Sequence, residues 1–484
     1  MRAPGEGTPE QRVSGWWWVA ILALAAVPRF LEARRNALSF EEIYILLVVR
    51  GGFAHTLSTL AHDVDQPLYH LLLGAWRGVG GEQELWLKSL SIVLGLLSVV
   101  AVYALGRRLF GRWAGIFAAL LLAAHSTHIY FSQYADVEVL LWLLLPVAVW
   151  RAVCWWDRPT LANGAAFAVA AAGALYTYYF AIFILLVLAV WGVARAPRRA
   201  GGWLLLFAAA LALFGPQIPI LVGQLTRDPE FIRKLPLLPL HDVVSAFLKV
   251  ADVPRLLAPL ALVLALVPLF RRDTRPGALL LLMVVALPAA IVYVLSQVGL
   301  RIFFERQLLY AIPFAAVAVG GGIAALRPRA LGLVVALAFV ALGLRNWSTR
   351  GPLDEGVDMT QAARYLDAHA RPGEPILCCE THSILFLEYH RPRLGPYRLL
   401  IPADAPAYHV SDGILSVPDS LRVGDDVVAR LRASGARWWG VRIVHFPYYR
   451  NGAEAAARLD AQAQGPTWTY RKASVWSGAG TGAP

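Results

Sequence analysis

The chain has 484 residues, of which 58% are hydrophobic and 16% are charged, and its net charge is +12. Soluble domains carry about 25% charged and 45–50% apolar residues. This composition, with a mean hydropathy of +0.55, therefore indicates a membrane protein. The positive charge would suggest a nucleic-acid partner in a soluble protein, but here the arginines lie mostly in short loops between apolar blocks, which is typical of a membrane topology signal. Three cysteines without disulfide or metal-ligand spacing exclude a disulfide framework.

Apolar blocks of the length that a membrane-spanning helix needs, about 20 residues, follow one another as far as residue 345. These eleven blocks are 15–32, 88–106, 113–131, 137–155, 160–176, 178–194, 201–222, 254–270, 277–297, 306–326 and 328–345. The shorter stretch PLYHLLLGAW, from Pro67, predicts a juxtamembrane or re-entrant helix. We therefore expect an α-helical polytopic membrane protein with about eleven transmembrane helices.

The arginines between these blocks predict the orientation. Arginine-rich loops alternate with loops that have no Lys or Arg, such as HSTHIYFSQYADVE and YTYY. The positive-inside rule places the arginine-rich loops, and with them the N-terminus, in the cytoplasm. The segments 33–87, 223–253 and 346–484 are then outside. The first block is interpreted as an uncleaved anchor rather than a signal peptide, because many spans follow it.

The tail 346–484 is polar and predicts a small extracytoplasmic α/β domain. The stretches PILCCE, LFLEY and RWWGVRIVHF are interpreted as short strands, and VDMTQAARYLDAHA as an amphipathic helix that ends at RPGE. The chain is thus expected to divide into a transmembrane domain, 1–345, with an extracytoplasmic loop at 33–87, and a C-terminal domain at 346–484.

Two adjacent carboxylates precede an apolar run in SFEEIYILL, which begins at Ser39. Ser39 followed three residues later by Glu42 predicts a capping box, in which the Glu accepts from the backbone N–H of the cap. Glu41 points elsewhere, because adjacent helix residues are about 100° apart. A carboxylate near the membrane costs desolvation unless it is paired or used. The structural alternative for Glu41 is a favourable interaction with the helix N-terminus.

Five motifs resemble the C-type membrane glycosyltransferases (GT-C fold). The branch they resemble contains the protein O-mannosyltransferases, lipid A aminoarabinose transferases and rhizobial lipopolysaccharide sugar transferases, a dolichyl-phosphate-mannose-protein mannosyltransferase-like family. The motifs are FEEIY, DVDQPLYHLLL, HIYFSQYADVEVLL, LYTYYFAIFILL and RIFFERQLLYAIP. The chain departs from the family strings where Glu41 replaces an Asp, Gln66 replaces a Lys or Pro, and Gln307 replaces a Tyr. The family's Ser-Gln-Glu-Ala-Arg reads Ser-Gln-Tyr-Ala-Asp here, ending at Asp136.

The resemblance implies an inverting glycosyltransferase that moves a sugar from a polyprenyl-phosphate donor to an extracytoplasmic glycan, lipid or protein. The resemblance implies Glu41 as the catalytic base. It leaves open whether a divalent metal ion is a cofactor, with Asp65 as the residue that would bind it. The candidate catalytic residues are Glu41, Glu42 and Asp136. The candidates for the donor phosphate are Arg306, Arg301 and Gln66. The candidates for substrate contacts are Asp65, Tyr69, His70, Glu138, Tyr178 and Tyr179.

Structural alternatives stay open for the aromatic and basic candidates. Tyr178 and Tyr179 fit an interfacial aromatic belt. Arg301 and Arg306 fit snorkelling interface residues, although both lie on the side with few other short-loop cations, which favours an anionic partner.

The remaining polar candidates have alternatives too. Asp136 and Glu138 fit solvated loop charges at the outer end of a helix. His125 and His128 have the chemistry of metal ligands, but no third ligand is evident in the sequence.

Two other function classes remain open at this point. A transporter for a lipid-linked substrate predicts intramembrane charges and two related halves, whereas few such charges and no internal repeat are evident. The departures at Gln66, Asp136 and Gln307 keep open the alternative of a catalytically inactive GT-C relative that acts as a binding or assembly module. A sugar-transfer assay on the purified protein distinguishes an active glycosyltransferase from a transporter and from an inactive relative.

Overall fold

The computed structural model describes residues 15–63, 65–227, 237–300, 305–350, 354–379, 381–390, 397–400, 422–423, 426–443, 456–457, 459–461, 466–470 and 473–478. The chain forms two compact units. One contains residues up to 33 together with 65–350, and the other contains 34–64 together with residues from 351 onward.

Helices account for all regular structure described up to residue 350. In chain order they are α1 (Gly15–Arg35), α2 (Phe40–Arg50), α3 (Gly52–Leu60), α4 (Pro67–Gly80), α5 (Glu84–Phe110), α6 (Arg112–Ala124), α7 (Ser126–Ser132), α8 (Glu138–Asp157), α9 (Leu161–Thr177), α10 (Ala181–Arg195), α11 (Ala200–Phe214), α12 (Ile218–Arg227), α13 (Leu240–Ala251), α14 (Ala258–Leu266), α15 (Arg275–Gln297), α16 (Ile312–Ala325) and α17 (Arg329–Ser348). Short 3₁₀ helices join some of them, and the one at Glu305–Ala311 leads into α16.

Every predicted apolar block contains an apolar helix, but not every helix is long enough to span by itself. Within the described residues, seven helices are long and apolar enough to cross a membrane, or up to nine if each of two bent pairs counts as one span. The bent pairs are Arg112–Ala124 with Ser126–Ser132, at 63°, and Leu240–Ala251 with Arg255–Phe270, at 82°. The blocks at 160–176 and 178–194 form the shorter apolar helices α9 and α10. The count of eleven therefore stays a prediction, whereas the short helix at Pro67 is confirmed as α4.

The predicted orientation is tested with reporter fusions. A reporter active only in the cytoplasm, fused after Arg199, should give a signal, and the same reporter fused after Gly373 should give none. The reason is that arginine-rich loops are retained inside. A reporter active only outside, fused at both positions, is the matched control and should give the reverse pattern. Equal signals at the two positions would contradict the orientation.

The second unit is built on a six-stranded sheet. Its strands are β1 (Ile376–Cys378), β2 (Tyr397–Leu400), β3 (Arg422–Val423), β4 (Trp438–Ile443), β5 (Trp468–Tyr470) and β6 (Ala473–Gly478), and their order in the sheet is β3-β2-β1-β4-β6-β5. The first four are parallel, and β6 is antiparallel to β4 and β5. Strands predicted in PILCCE and RWWGVRIVHF are thus confirmed.

Helices cover both faces of this sheet. They are α18 (Asp354–His369), α19 (Thr381–His390) and α20 (Asp426–Ala433). Alternating residues of β1 point to opposite faces, so Ile376 packs with α18 and α19, whereas Leu377 packs with Val428 of α20. The helix predicted in VDMTQAARYLDAHA is confirmed as part of α18.

The strand predicted for LFLEY is wrong, because this stretch lies in α19. A short apolar run has no periodicity that separates a strand from a buried helix segment. The stretch follows β1 within a few residues, and a parallel neighbour such as β2 is reached only through a crossover, which is usually helical. The helix supplies that crossover.

Helix α2, which carries the two adjacent carboxylates, packs against α19 within the second unit. The Phe40 and Phe386 rings lie 6.4 Å apart, and the Arg50 guanidinium lies 5.6 Å from the centre of the Tyr389 ring. The loop segment 34–64 is therefore part of the same compact unit as the tail. The predicted boundary at residue 345 and the place of the tail outside the membrane stay predictions.

Candidate active site

Three separate segments of the first unit supply the charged residues of the candidate site. Asp65 lies two residues before α4, whose N-cap is Gln66 and whose first residue is a proline. Asp136 lies in the short turn between α7 and α8, and Glu138 begins α8, where a carboxylate is favoured by the helix N-terminus. Arg306 lies in the 3₁₀ helix Glu305–Ala311. Backbone turns at helix ends thus present all four charged side chains.

The Arg306 guanidinium joins two of these carboxylates. Its Nη2 donates to Asp136 Oδ2, and its Nε forms an ion pair with Glu138 Oε1. The Asp136 and Glu138 side chains are 9% and 12% exposed, and Arg306 is 34% exposed. Arg306 also lies over the Phe131 ring, 5.1 Å from its centre. A planar guanidinium suits this arrangement, because it offers several donors in a fixed fork.

Asp65 is the most accessible of the carboxylates. Its side chain is 42% exposed, and its Oδ2 lies 3.7 Å from His70 Nε2. The protein around it removes part of its hydration. This desolvation and the nearby Asp136 carboxylate raise the pKa of Asp65 to about 6, whereas the Arg306 cation opposes the rise. Asp65 is therefore a carboxyl group whose charge changes within the physiological range of pH.

Tyr69 and His70 are buried residues of α4, the helix that follows Asp65. Burial lowers the pKa of His70 to about 4, so the ring is neutral at pH 7, and its Nδ1 lies 3.2 Å from the Gln66 carbonyl oxygen. The Tyr69 hydroxyl is hydrogen-bonded to Ser91 Oγ at 2.7 Å. Both side chains are fully buried. Of the two, His70 lies beside Asp65, and the predicted contacts of both residues with substrate stay predictions.

Neutral hydrogen-bonding groups complete this region. Tyr178 is hydrogen-bonded to Gln307, and it interacts electrostatically with Glu138, Arg306 and Asp65. Tyr179 accepts from Gln217 Nε2 at 3.0 Å and donates to Gln224 Oε1 at 2.9 Å. Hydroxyl and amide groups of this kind suit the recognition of sugar hydroxyls, since they both donate and accept.

A narrow recess opens among these residues. Its lining consists of Val137, Glu138, Leu141, Trp142, Tyr178, Arg306, Gln307 and Tyr310. The recess is small, with room for about one water molecule. Glu138 and Arg306 of the charged cluster are among the lining residues, so the recess adjoins the cluster.

The carboxylates of SFEEIYILL belong to the other compact unit. The capping box is confirmed: Glu42 Oε2 accepts from the Ser39 backbone N–H at 2.8 Å, and Ser39 Oγ accepts from the Glu42 N–H at 3.3 Å. Glu42 is 1% exposed, whereas Glu41 is exposed in the first turn. Catalytic roles for Glu41 and Glu42 stay predictions. Arg301 lies outside the described residues.

The metal alternatives receive no support from the donor arrangement. Within the described ranges, no group of three or more His, Cys, Asp or Glu side chains is placed to hold one metal ion. His128 uses both ring nitrogens in contacts with Arg29 and Ser98, at 2.6 and 2.8 Å. His125 Nε2 lies 3.1 Å from the Val250 carbonyl oxygen.

Sequence reasoning missed two residues, Trp142 in the lining of the recess and Arg29 in the first helix. Trp142 lies one helical turn after Glu138, and its Nε1 donates to the Leu309 carbonyl at 3.0 Å. Arg29 is a fully buried arginine in the first apolar block. A charge inside an apolar block was the available signal for Arg29, whereas an indole in an apolar helix gives none.

The comparisons with known proteins agree with this fold. The model of the family described as dolichyl-phosphate-mannose-protein mannosyltransferase matches residues 65–220. No curated protein sequence matches the chain. ArnT from Cupriavidus metallidurans bound to undecaprenyl phosphate is similar in structure, with a TM-score of 0.64 and 15% identity over 96% of this chain and 98% of that chain.

Two further structures share the fold. ArnT from Cupriavidus metallidurans in the apo state has a TM-score of 0.61 at 15% identity, with 96% of this chain and 98% of that chain covered. The apo form of the Archaeoglobus fulgidus oligosaccharyltransferase has a TM-score of 0.53 at 11% identity, with 92% and 72% covered. These structures share the fold of the chain, and together with the family-model match they confirm the predicted resemblance to the GT-C proteins.

Proposed function

We propose that this chain is an integral-membrane glycosyltransferase that moves a sugar from a polyprenyl-phosphate donor to an extracytoplasmic acceptor. The observation that carries the proposal is the cluster of Asp65, Asp136, Glu138 and Arg306, presented at helix ends in a fold shared with ArnT, whose structure holds undecaprenyl phosphate. Carboxylates beside a guanidinium have the chemistry to orient hydroxyl groups and to stabilise a phosphate leaving group.

The reaction is a single displacement at the anomeric carbon of the sugar. The acceptor oxygen forms a bond to that carbon, the bond from the carbon to the phosphate oxygen breaks, and the lipid phosphate leaves with the electron pair. The acceptor's proton passes to a carboxylate, which the family resemblance assigns to Glu41. A single displacement inverts the anomeric configuration.

The charged cluster serves the two other needs of this reaction. Arg306, with Arg301 as a second candidate, stabilises the negative charge that develops on the phosphate. Asp136 and Glu138 hold the guanidinium in place until donor arrives. Asp65 orients the acceptor hydroxyl, with Tyr178 and Tyr179 contacting the sugar hydroxyls.

A transfer assay on the purified full chain tests the proposal. Vesicles that contain the protein, a set of radiolabelled polyprenyl-phosphate sugars and an extract of envelope glycans and lipids should yield labelled acceptor and free polyprenyl phosphate. Donor that crosses the vesicle membrane unchanged would indicate a transporter instead. Tight donor binding with neither transfer nor movement would identify an inactive relative.

The pKa of Asp65 makes a separate prediction about pH. The carboxyl keeps its proton up to pH values near 6, so kcat/KM should rise with pH through about 6 if the carboxylate form orients the acceptor. Asp65→Asn should remove this limb of the profile. Asp136 raises and Arg306 lowers this pKa, so Asp136→Asn should move the midpoint down and Arg306→Gln should move it up. Midpoints that shift in the opposite directions would contradict this account.

A further inference from the structure

Arg29 is a buried cation within the first candidate span, α1. Charged side chains within membrane spans are costly and mark function more often than they do elsewhere. Its Nη1 donates to the carbonyl oxygens of Ala25 and Ala123, at 2.5 and 2.9 Å, and its Nη2 lies 2.6 Å from His128 Nδ1. Among the residues that the structure describes, no carboxylate pairs with it. Carbonyl oxygens and a ring nitrogen hold this guanidinium.

The hydrogen bonds of this group have one consistent direction. A guanidinium only donates, so His128 Nδ1 accepts from Arg29 and the ring proton lies on Nε2. His128 Nε2 then donates to Ser98 Oγ at 2.8 Å, and Ser98 Oγ donates to the Gly95 carbonyl at 2.7 Å. Arg29 therefore sets both the tautomer and the orientation of His128.

The group lies at the break between the two helices of a bent candidate span. Helix α6 ends at Ala124 and α7 begins at Ser126, with a bend of 63°. The Arg29 guanidinium donates to the Ala123 and Leu122 carbonyl oxygens in the last turn of α6, at 2.9 and 3.5 Å, and Leu122 O also accepts from the His125 backbone N–H. A cation is favourable at a helix C-terminus. Gly95 allows α5 and α7 to approach here, since a Cβ atom on it would lie 2.6 Å from Ser132 Oγ.

A chain of contacts leads from this break to the candidate active site. The His128 ring stacks on Trp142, with centroids 5.0 Å apart and an interplanar angle of 23°. Trp142 Nε1 donates to the carbonyl of Leu309 at 3.0 Å, and Leu309 lies in the short helix that carries Arg306. Trp142 is also four residues after Glu138, on the same face of α8. Helix α7 itself leads directly to the turn with Asp136.

We infer that Arg29 is a positioning residue: with His128 it fixes the break between α6 and α7, and through Trp142 it sets Asp136, Glu138 and Arg306 in one arrangement. The catalytic consequence rests on the proposed function. Arg29 is fully buried, and its hydrogen bonds go to the Ala25 and Ala123 carbonyls and to His128, so the role proposed for it is indirect. Its effect is on the geometry of the cluster.

The kinetic test uses the full chain in vesicles with a polyprenyl-phosphate sugar donor. Arg29→Gln should lower kcat by about 10²-fold, since a misplacement of about 1 Å costs this much, whereas the KM for the donor should change little. Arg29→Lys should lower kcat less, because lysine keeps the positive charge. Some loss should remain, because its single ammonium nitrogen replaces the fork of guanidinium donors. Arg35→Gln, at an exposed arginine of the same helix, is the matched control and should keep full activity. Unchanged kcat in Arg29→Gln would overturn the inference.

A second measurement does not depend on activity. Hydrogen exchange followed by mass spectrometry should show faster exchange at residues 126–137 in Arg29→Gln, with the rest of the first unit unchanged. Trp203→Phe, which removes a buried indole bond to the Ala189 carbonyl elsewhere in this unit, should not affect that segment. Exchange that is unchanged at 126–137, or equally faster throughout the unit, would overturn the positioning role. A wild-type protein that transfers no sugar would overturn the proposed function instead, and exchange would still decide the role of Arg29.

Discussion

Replacing Glu41 by Gln should lower the rate of sugar transfer by about 10²–10⁴-fold, the usual contribution of a general base. Glutamine keeps the size and polarity of the side chain but takes no proton. Glu41 is exposed in the first turn of α2 and lies outside the capping box, so the change should leave expression and thermal unfolding nearly unaltered. The rate of sugar transfer by purified protein at steady state measures the effect. The affinity for the donor, measured separately, should equal that of the wild type.

Glu42→Gln is the matched control for this prediction. Glutamine also serves as the acceptor in a capping box, and loss of a cap costs only about 0.5–2 kcal/mol. This variant should therefore keep most of its activity. Glu41→Asp tests whether the site needs the longer side chain. An active Glu41→Gln beside an inactive, folded Glu42→Gln would mean that the two roles are reversed, and full activity in both would leave the mechanism without its base.

Replacing Arg306 by Gln should lower the transfer rate by about 10²–10³-fold, as removal of one group that stabilises developing negative charge does. The variant also leaves Asp136 and Glu138 without the cation that joins them. Binding of the lipid-phosphate donor should weaken as well, because the two carboxylates would then repel the phosphate. Single-turnover rates and donor affinity in the same vesicles separate the two effects.

Two further variants sharpen the test of Arg306. Arg306→Lys keeps the charge but lacks the fork that reaches both carboxylates, so it should recover only part of the activity. Arg327→Gln removes an exposed arginine just beyond the other end of the same span and should behave as wild type. If Arg306→Gln transferred sugar at the wild-type rate, Arg306 would not stabilise the donor phosphate. Its ion pairs with Asp136 and Glu138 would then serve only the structure.

Local sequence determined the helices and the capping box of this protein. Long apolar blocks form helices because a chain in the bilayer must satisfy every backbone N–H and C=O within itself, and this requirement can be read from composition alone. Ser39 and Glu42 are three residues apart, so their reciprocal bonds depend only on the local turn. The five motifs likewise located the candidate residues that the family resemblance implies.

Tertiary structure decided which of these residues meet. Arg306 and Asp136 are 170 residues apart in the chain, and the packing of α8 against the segment that leads into α16 brings them into contact. The same is true of Arg29 and His128, which no local pattern connects. The stretch LFLEY forms a helix because the sheet needs a crossover there, and α2 packs on that helix. Ion pairs and buried donors depend on distances in space, and spacing along a chain fixes such distances only within one helix or turn.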